Sequence, residues 1–232
     1  MVSGTANGAP RTTRVRWRPS YRIVSSRFPP VGLFDKVADP ADLDAIWALD
    51  GLTNPRIRQQ LGQLDRVPAG RRISGPGTTP VMAAFTHVPP DGSRFGDGSY
   101  GVYYAARDRA TAISETVFHR ERFLAHASHP ATDLGMRLYL ADVDARLHTL
   151  RPGWPEAHDP DSYAYSQRLG RRLREEGSDG IVFNSVRQAG GECVALFYPD
   201  LVSNCRQSEH FIYRWNGTRI SDVIVASEIL SR

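Results

Sequence analysis

The strand-like segments of this 232-residue chain are short, unevenly spaced and joined by irregular connections, and that pattern limits the folds open to it. They read GVYYAA (101–106), MRLYLADV (136–143), GIVFN (180–184) and CVALFY (193–198), with FIYRW (211–215) and TRI (218–220) flanking Asn216-Gly217. An Asn-Gly pair between two such runs is a two-residue hairpin signal. YRIV (21–24) and VMAAFT (81–86) are further strand-like runs. Helical periodicity is confined to 40–49, to 55–64, and to two longer stretches. One of these is capped by Asp108 and carries Ala112, Ile113, Val117 and Phe118. The other starts near Asp161, repeats Tyr165, Leu169 and Leu173, and stops at Gly177. Strands outnumber helices without regular βαβ alternation. The expected architecture is a single mixed α/β (α+β) domain, a small twisted sheet or sheet pair flanked by helices. Residues 1–19, rich in Gly, Thr, Arg and Pro, read as a loose arm, leaving 20–232 as the domain.

Composition excludes several classes. With 41% apolar and 9% aromatic residues the chain can build a core. No apolar run approaches the ~20 residues needed to span a bilayer, and the first 20 residues lack the apolar stretch of a secretory signal. A cytoplasmic location is therefore expected. The net charge is +4, yet every cation except Lys36 is an arginine and the arginines are scattered among acids. A polyanion-binding face would cluster them, so direct nucleic-acid binding is not expected. Cys193 and Cys205 are too few for a disulfide scaffold or a zinc site and read as buried thiols. His126 and His129 have no third ligand at metal-site spacing, so no metal is expected. Gly96-Asp-Gly-Ser-Tyr-Gly101 matches the dinucleotide fingerprint in letters only: it leads into a strand, whereas the fingerprint must open a helix.

What remains is Arg94 in the loop before strand 101–106, Tyr104 on that strand, Glu115 on the helix after it, and Ser185 ending strand 180–184. Taken singly, each has a plain reading. Arg94 could pair with Asp91 or Asp97, Tyr104 could pack a core, Glu115 could form a surface ion pair near Arg107 and Arg109, and Ser185 could cap a turn.

Together and in this order they carry a resemblance. The stretches RFGDGSYGVYYAARDRATAISETVFH (94–119) and SDGIVFNSVRQAGGECVALFYPD (178–200) are similar to the RES-domain family, named for an arginine, a glutamate and a serine. The likeness extends from about Tyr21 to Ile220. It implies an ADP-ribosyltransferase-like fold and a bacterial toxin that consumes NAD+ by cleaving the nicotinamide–ribose bond, as a glycohydrolase or phosphorylase. The alternatives are a mono-ADP-ribosyltransferase acting on a protein, or an idle RES module that binds a nucleotide or partner. Arg94, Tyr104, Glu115 and Ser185 would be the catalytic set, with Arg22 a further NAD+ contact beside Arg94, Tyr104 and Ser185. Tyr103 would point to the opposite face. A helix-turn-helix antitoxin or an immunity protein would be the partner, and delivery into another cell is compatible with the chain.

The residue types suit that chemistry. A planar arginine makes bidentate phosphate contacts, a tyrosine ring can stack on pyridinium, and a carboxylate steadies an oxocarbenium-like ribose.

Overall fold

A computed structural model describes residues 10–27, 32–49 and 54–226. Its centre is one seven-stranded sheet: β1 (Thr12–Ser25), β2 (Tyr103–Ala106), β3 (Thr132–Thr149), β4 (Gly180–Asn184), β5 (Glu192–Leu196), β6 (Val202–Trp215) and β7 (Ile220–Ala226). The strand order is β1-β2-β5-β4-β3-β6-β7, and β1 pairs with β3 as well as β2, so five strands close on one another. The β3–β4 pair is parallel and the others are antiparallel. A parallel neighbour requires a crossover, and α6 (Ala164–Glu175) supplies it. The expected mixed sheet flanked by helices is what the chain forms, as a single sheet and not a pair.

Helices lie against both faces. On one, Phe34 of α1 (Leu33–Lys36), Leu43 of α2 (Asp42–Leu49), Leu61 of α3 (Pro55–Leu61) and Met82 and Phe85 of α4 (Thr79–Thr86) pack on Val15, Trp17, Tyr103 and Val194. On the other, Ala112 of α5 (Arg109–His126), Leu169 and Leu173 of α6, and Phe95 and Tyr100 pack on Ile23, Phe183, Cys193 and Ala195. Burying one such side chain stabilises the fold by roughly 1.5–3 kcal/mol.

Three expectations need correction. The loose arm does not extend to residue 19: residues 12–17 pair with β3 from His148 to Val143. Val15 and Trp17 point into the core, while Arg14, Arg16 and Arg18 gather around Asp144 on the outer side. Alternation of period two makes this a strand, and the arginines disguise it as a polar tail. Residues 1–9 of that arm, and 227–232 at the other end, lie outside the described residues. Second, the strand-like run at 81–86 belongs to α4. Pro80 suits a first helical turn, and Val81, Met82 and Phe85 share one buried side. Third, β7 starts at Ile220 and the β6–β7 turn spans residues 216–219: the Asn216 side chain accepts from Thr218 N, Thr218 Oγ1 and Arg219 N, and the Asn216 amide donates to the Arg219 carbonyl at 3.1 Å.

Candidate active site

The chain turns directly from β2 into α5, and this places the site. Asp108 caps α5, accepting from the Thr111 amide and hydroxyl at 2.8 Å each. Such a cap stabilises a helix by about 1 kcal/mol and fixes which face of α5 turns to the sheet. That face presents Ala112, Glu115, Thr116 and, one turn on, His119 to a cavity of about 340 Å³. The other walls come from Tyr21 and Arg22 of β1, Ser93 and Arg94 of the preceding loop, Tyr104 of β2, and Tyr163. The volume falls in the range of small-molecule pockets.

Arg94 is 8% exposed. Its Nη1 donates to the carbonyls of Ala157 (3.0 Å) and Asp159 (2.9 Å), and its guanidinium carbon lies 4.5 Å from the centroid of the Tyr163 ring. Neither Asp91 nor Asp97 pairs with it; Asp97 takes Arg171 instead. Arg22 donates from Nη1 to the Tyr104 carbonyl at 2.9 Å and lies over the Tyr103 ring at 4.7 Å, with its buried Nε left without a partner. Burial holds its pKa below the ordinary arginine value. Among the described residues no carboxylate pairs with either arginine. Arg22 borders the cavity at its position on β1, but its guanidinium lies with Tyr103 on the opposite side of the sheet. This corrects the expectation that it would share the pocket with Arg94: alternation along β1 turns Tyr21 and Ile23 to the cavity side and Arg22 away. Arg94 is the cation without a carboxylate partner on the cavity side, and it suits an anion.

Glu115 is half-buried and accepts from the Ser185 hydroxyl at 2.6 Å through Oε1. The arginines expected to compete for it are engaged elsewhere, Arg107 with Glu192 and Arg109 with Glu209. Ser185 heads the 185–191 turn between β4 and β5. Its Oγ accepts from the amides of Arg187 (3.1 Å) and Gln188 (2.9 Å), so both its turn-capping and its contact with the glutamate are present. One donor and two acceptors exhaust a hydroxyl. Ser185 does not line the main cavity but a shallow depression beside it, joined through Glu115.

Tyr104 faces the cavity and Tyr103 the opposite core, as alternation requires. The Tyr104 hydroxyl accepts from Phe95 N (2.8 Å) and lies 2.9 Å from Ser93 Oγ. The strand thereby grips the loop that carries Arg94. Burial pushes this phenol up to about 12, against the pull of the Ser93 and Phe95 hydrogen bonds. Cys193 also borders the cavity, and burial raises its thiol pKa further still, so it is a poor nucleophile. His119, at the rim, is pushed down by burial, with Glu115 pulling the other way.

The structure thus brings Arg94, Tyr104 and Glu115 around one cavity and attaches Ser185 through Glu115, while the guanidinium of Arg22 lies across the sheet with Tyr103. Sequence reasoning missed His119 and Tyr163. The four-residue offset between Glu115 and His119 puts them on one helix face and was available as a signal; Tyr163 had none. Among the described residues no group of three His, Cys, Asp or Glu side chains is placed to hold a metal ion. The 96–101 glycine segment leads into β2 and opens no helix.

The RES-domain family model matches residues 64–216, a span that contains Arg94, Tyr104, Glu115 and Ser185. A Sinorhizobium fredii protein described as uncharacterized protein y4oC is 30% identical over 203 residues, covering 87% of this chain and 84% of its own length. Among solved structures, the crystal structure of the M. tuberculosis MbcT-MbcA toxin-antitoxin complex contains a similar chain, with a TM-score of 0.46 and 11% identity, covering 89% of this chain and 87% of that one.

Proposed function

The chain belongs to the RES-domain family, and from that premise we propose that it binds NAD+ in the 340 Å³ cavity and cleaves its nicotinamide–ribose bond. One observation carries the reading: an arginine without a carboxylate partner, Arg94, and a serine-held glutamate, Glu115, face the same cavity. Arg94 would meet the pyrophosphate, which a guanidinium suits better than an ammonium. Glu115 is held through Oε1, which leaves Oε2 for the ribose.

In the reaction the C1′–N bond breaks and its electron pair goes to the ring nitrogen, so nicotinamide leaves neutral and needs no acid. Positive charge grows on the ribose, where the fixed carboxylate of Glu115 stabilises it. An acceptor oxygen then bonds to C1′ and gives up its proton. Water yields ADP-ribose, phosphate yields ADP-ribosyl phosphate, and a protein side chain yields a modified protein. Tyr104 steadies the Arg94 loop and offers its ring to the nicotinamide.

The family reading makes this activity toxic to bacteria. A helix-turn-helix antitoxin or an immunity protein would neutralise it, and the cytoplasm, where NAD+ is abundant, would be its place of action. No helix among the described residues is long and apolar enough to cross a membrane. Arginines committed to local ion pairs, such as Arg107–Glu192, Arg109–Glu209 and Arg214–Asp133, support leaving nucleic acid out of the partners.

The test is mass spectrometry of NAD+ incubated with the protein, with and without phosphate, beside a Glu115→Ala control. Free nicotinamide with ADP-ribose makes it a glycohydrolase, a phosphate-dependent product a phosphorylase, and a mass added to protein a transferase. No nicotinamide above the control would leave only a binding module. Expression in bacteria without a partner should halt growth, and Glu115→Ala should restore it.

A further inference from the structure

Tyr163 stands at the N-terminal edge of α6 and came from no motif, yet it lines the cavity and its ring lies beneath Arg94 at 4.5 Å. Two further contacts to the same guanidinium come from the segment just before it, the carbonyls of Ala157 and Asp159. Both are made by Nη1. Among the described residues nothing bonds to Arg94 Nη2 or Nε, and neither is a sealed, partnerless atom of the kind found at Arg22 Nε. Three of the five N–H groups are therefore left as a fork open to the cavity.

The approach of the two elements is built in. At Gly170, a Cβ would stand 2.2 Å from the Phe95 carbonyl oxygen, so only glycine lets α6 close on the loop that holds Arg94. Gln167, three residues earlier, donates to the Ser93 carbonyl at 3.1 Å. These contacts bring the start of α6, and with it the Tyr163 ring, against the guanidinium.

We propose that Tyr163 is a positioning residue that, with the Ala157 and Asp159 carbonyls, holds the Arg94 guanidinium in one plane so that its free fork reads the diphosphate of a nucleotide. The proposal deepens the NAD+ reading of the same cavity and rests on it. A ring beneath a guanidinium and two carbonyls along its edge fix all three of its rotations. Without the ring the guanidinium can tilt, and a bidentate contact loses one of its two bonds. The ring, and not its hydroxyl, carries this role.

The experiment measures ADP binding by calorimetry and nicotinamide release from NAD+ for the wild type, Tyr163→Phe, Tyr163→Ala and Tyr163→Leu. Tyr163→Phe should bind ADP within about twofold of the wild type. Tyr163→Ala should bind about three- to thirtyfold more weakly, with KM for NAD+ rising by the same factor and kcat unchanged. Tyr163→Leu should weaken binding likewise and serves if the alanine variant fails to fold. Equal ADP affinity in all four proteins overturns the proposal, as does loss in the phenylalanine variant, a fall in kcat without a change in binding, or a wild type that binds no ADP. If no protein releases nicotinamide while the difference in ADP affinity persists, the cleavage reading fails and the positioning role stands.

Discussion

The Ser185 hydroxyl donates to Glu115 Oε1 at 2.6 Å, tying the β4–β5 turn to the middle of α5 across 70 residues of sequence. Because Ser185 Oγ also accepts from two turn amides, its proton has one destination and the carboxylate has one fixed orientation. Ser185→Ala should therefore do two things. It should lower kcat for nicotinamide release by about tenfold to a hundredfold through a mobile Glu115, and it should cost about 1–3 kcal/mol of stability through the two amides left without an acceptor. Glu115→Gln removes the charge but keeps a group that Ser185 can bond. Its rate should fall further, by ~10²–10³, with stability near the wild type. Steady-state kinetics and urea denaturation of both variants separate these effects.

Arg94→Lys keeps the charge and loses the geometry. An ammonium cannot engage the Ala157 and Asp159 carbonyls and still present a planar fork to the cavity. With a charge-assisted hydrogen bond contributing about 1.5–3 kcal/mol, KM for NAD+ should rise roughly ten- to hundredfold. A lysine variant that binds NAD+ as the wild type does would show that charge alone serves at this position.

The parts of the fold that were readable are those in which local and tertiary preferences agree. Asp108 as a cap and β4 at 180–184 need only the immediate sequence to define them. The first half of β1 was hidden because Arg14, Arg16 and Arg18 alternate with Val15 and Trp17: the period of two was present but lay beneath a polar composition. The helix α4 read as a strand because a six-residue apolar run fits either state. Its position is set by Gly101, where a Cβ would stand 2.2 Å from the Phe85 Cα. In the site, Arg94, Tyr104, Glu115 and Ser185 were legible as an ordered set. Tyr163 was not, since its contact exists only after Gly170 lets α6 approach Phe95.

Tyr104 links pH to stability. Its phenol has a folded-state value of about 12 against an ordinary 10.0, owing first to burial. The folded state thus holds this proton more tightly than the unfolded one. Its contribution is complete below about pH 10 and is lost as pH rises toward 12. Tyr213, raised to about 12 by burial as well, acts in the same direction. Tyr104→Phe should make the alkaline fall in urea midpoint shallower above pH 10. At pH 7 it should cost about 1–3 kcal/mol, because the buried Phe95 amide loses its acceptor. A variant with the wild-type alkaline profile would show that this phenol ionises freely in the folded protein.

The strand at Thr12–Ser25 provides the most direct test of the fold. β1 joins β3 along its length and meets β2 at Tyr21↔Ala106, so it closes the sheet on itself and brings Tyr21 and Ile23 to the cavity. A chain beginning at residue 20 would lack Val15 and Trp17, which are 4% and 9% exposed, and would uncover the β3 edge from Val143 to His148. An unpaired edge above an open core favours aggregation. Trp17→Ala alone should cost about 3–5 kcal/mol, whereas Arg16→Ala on the outer side should change stability by less than about 0.5 kcal/mol. Urea denaturation followed by circular dichroism measures both, and the truncated chain should be recovered insoluble or unfolded. A soluble 20–232 fragment with the wild-type midpoint would mean that the first half of β1 adds nothing to the core, and the closure of the sheet would then have to rest on Ser20 to Ser25 alone.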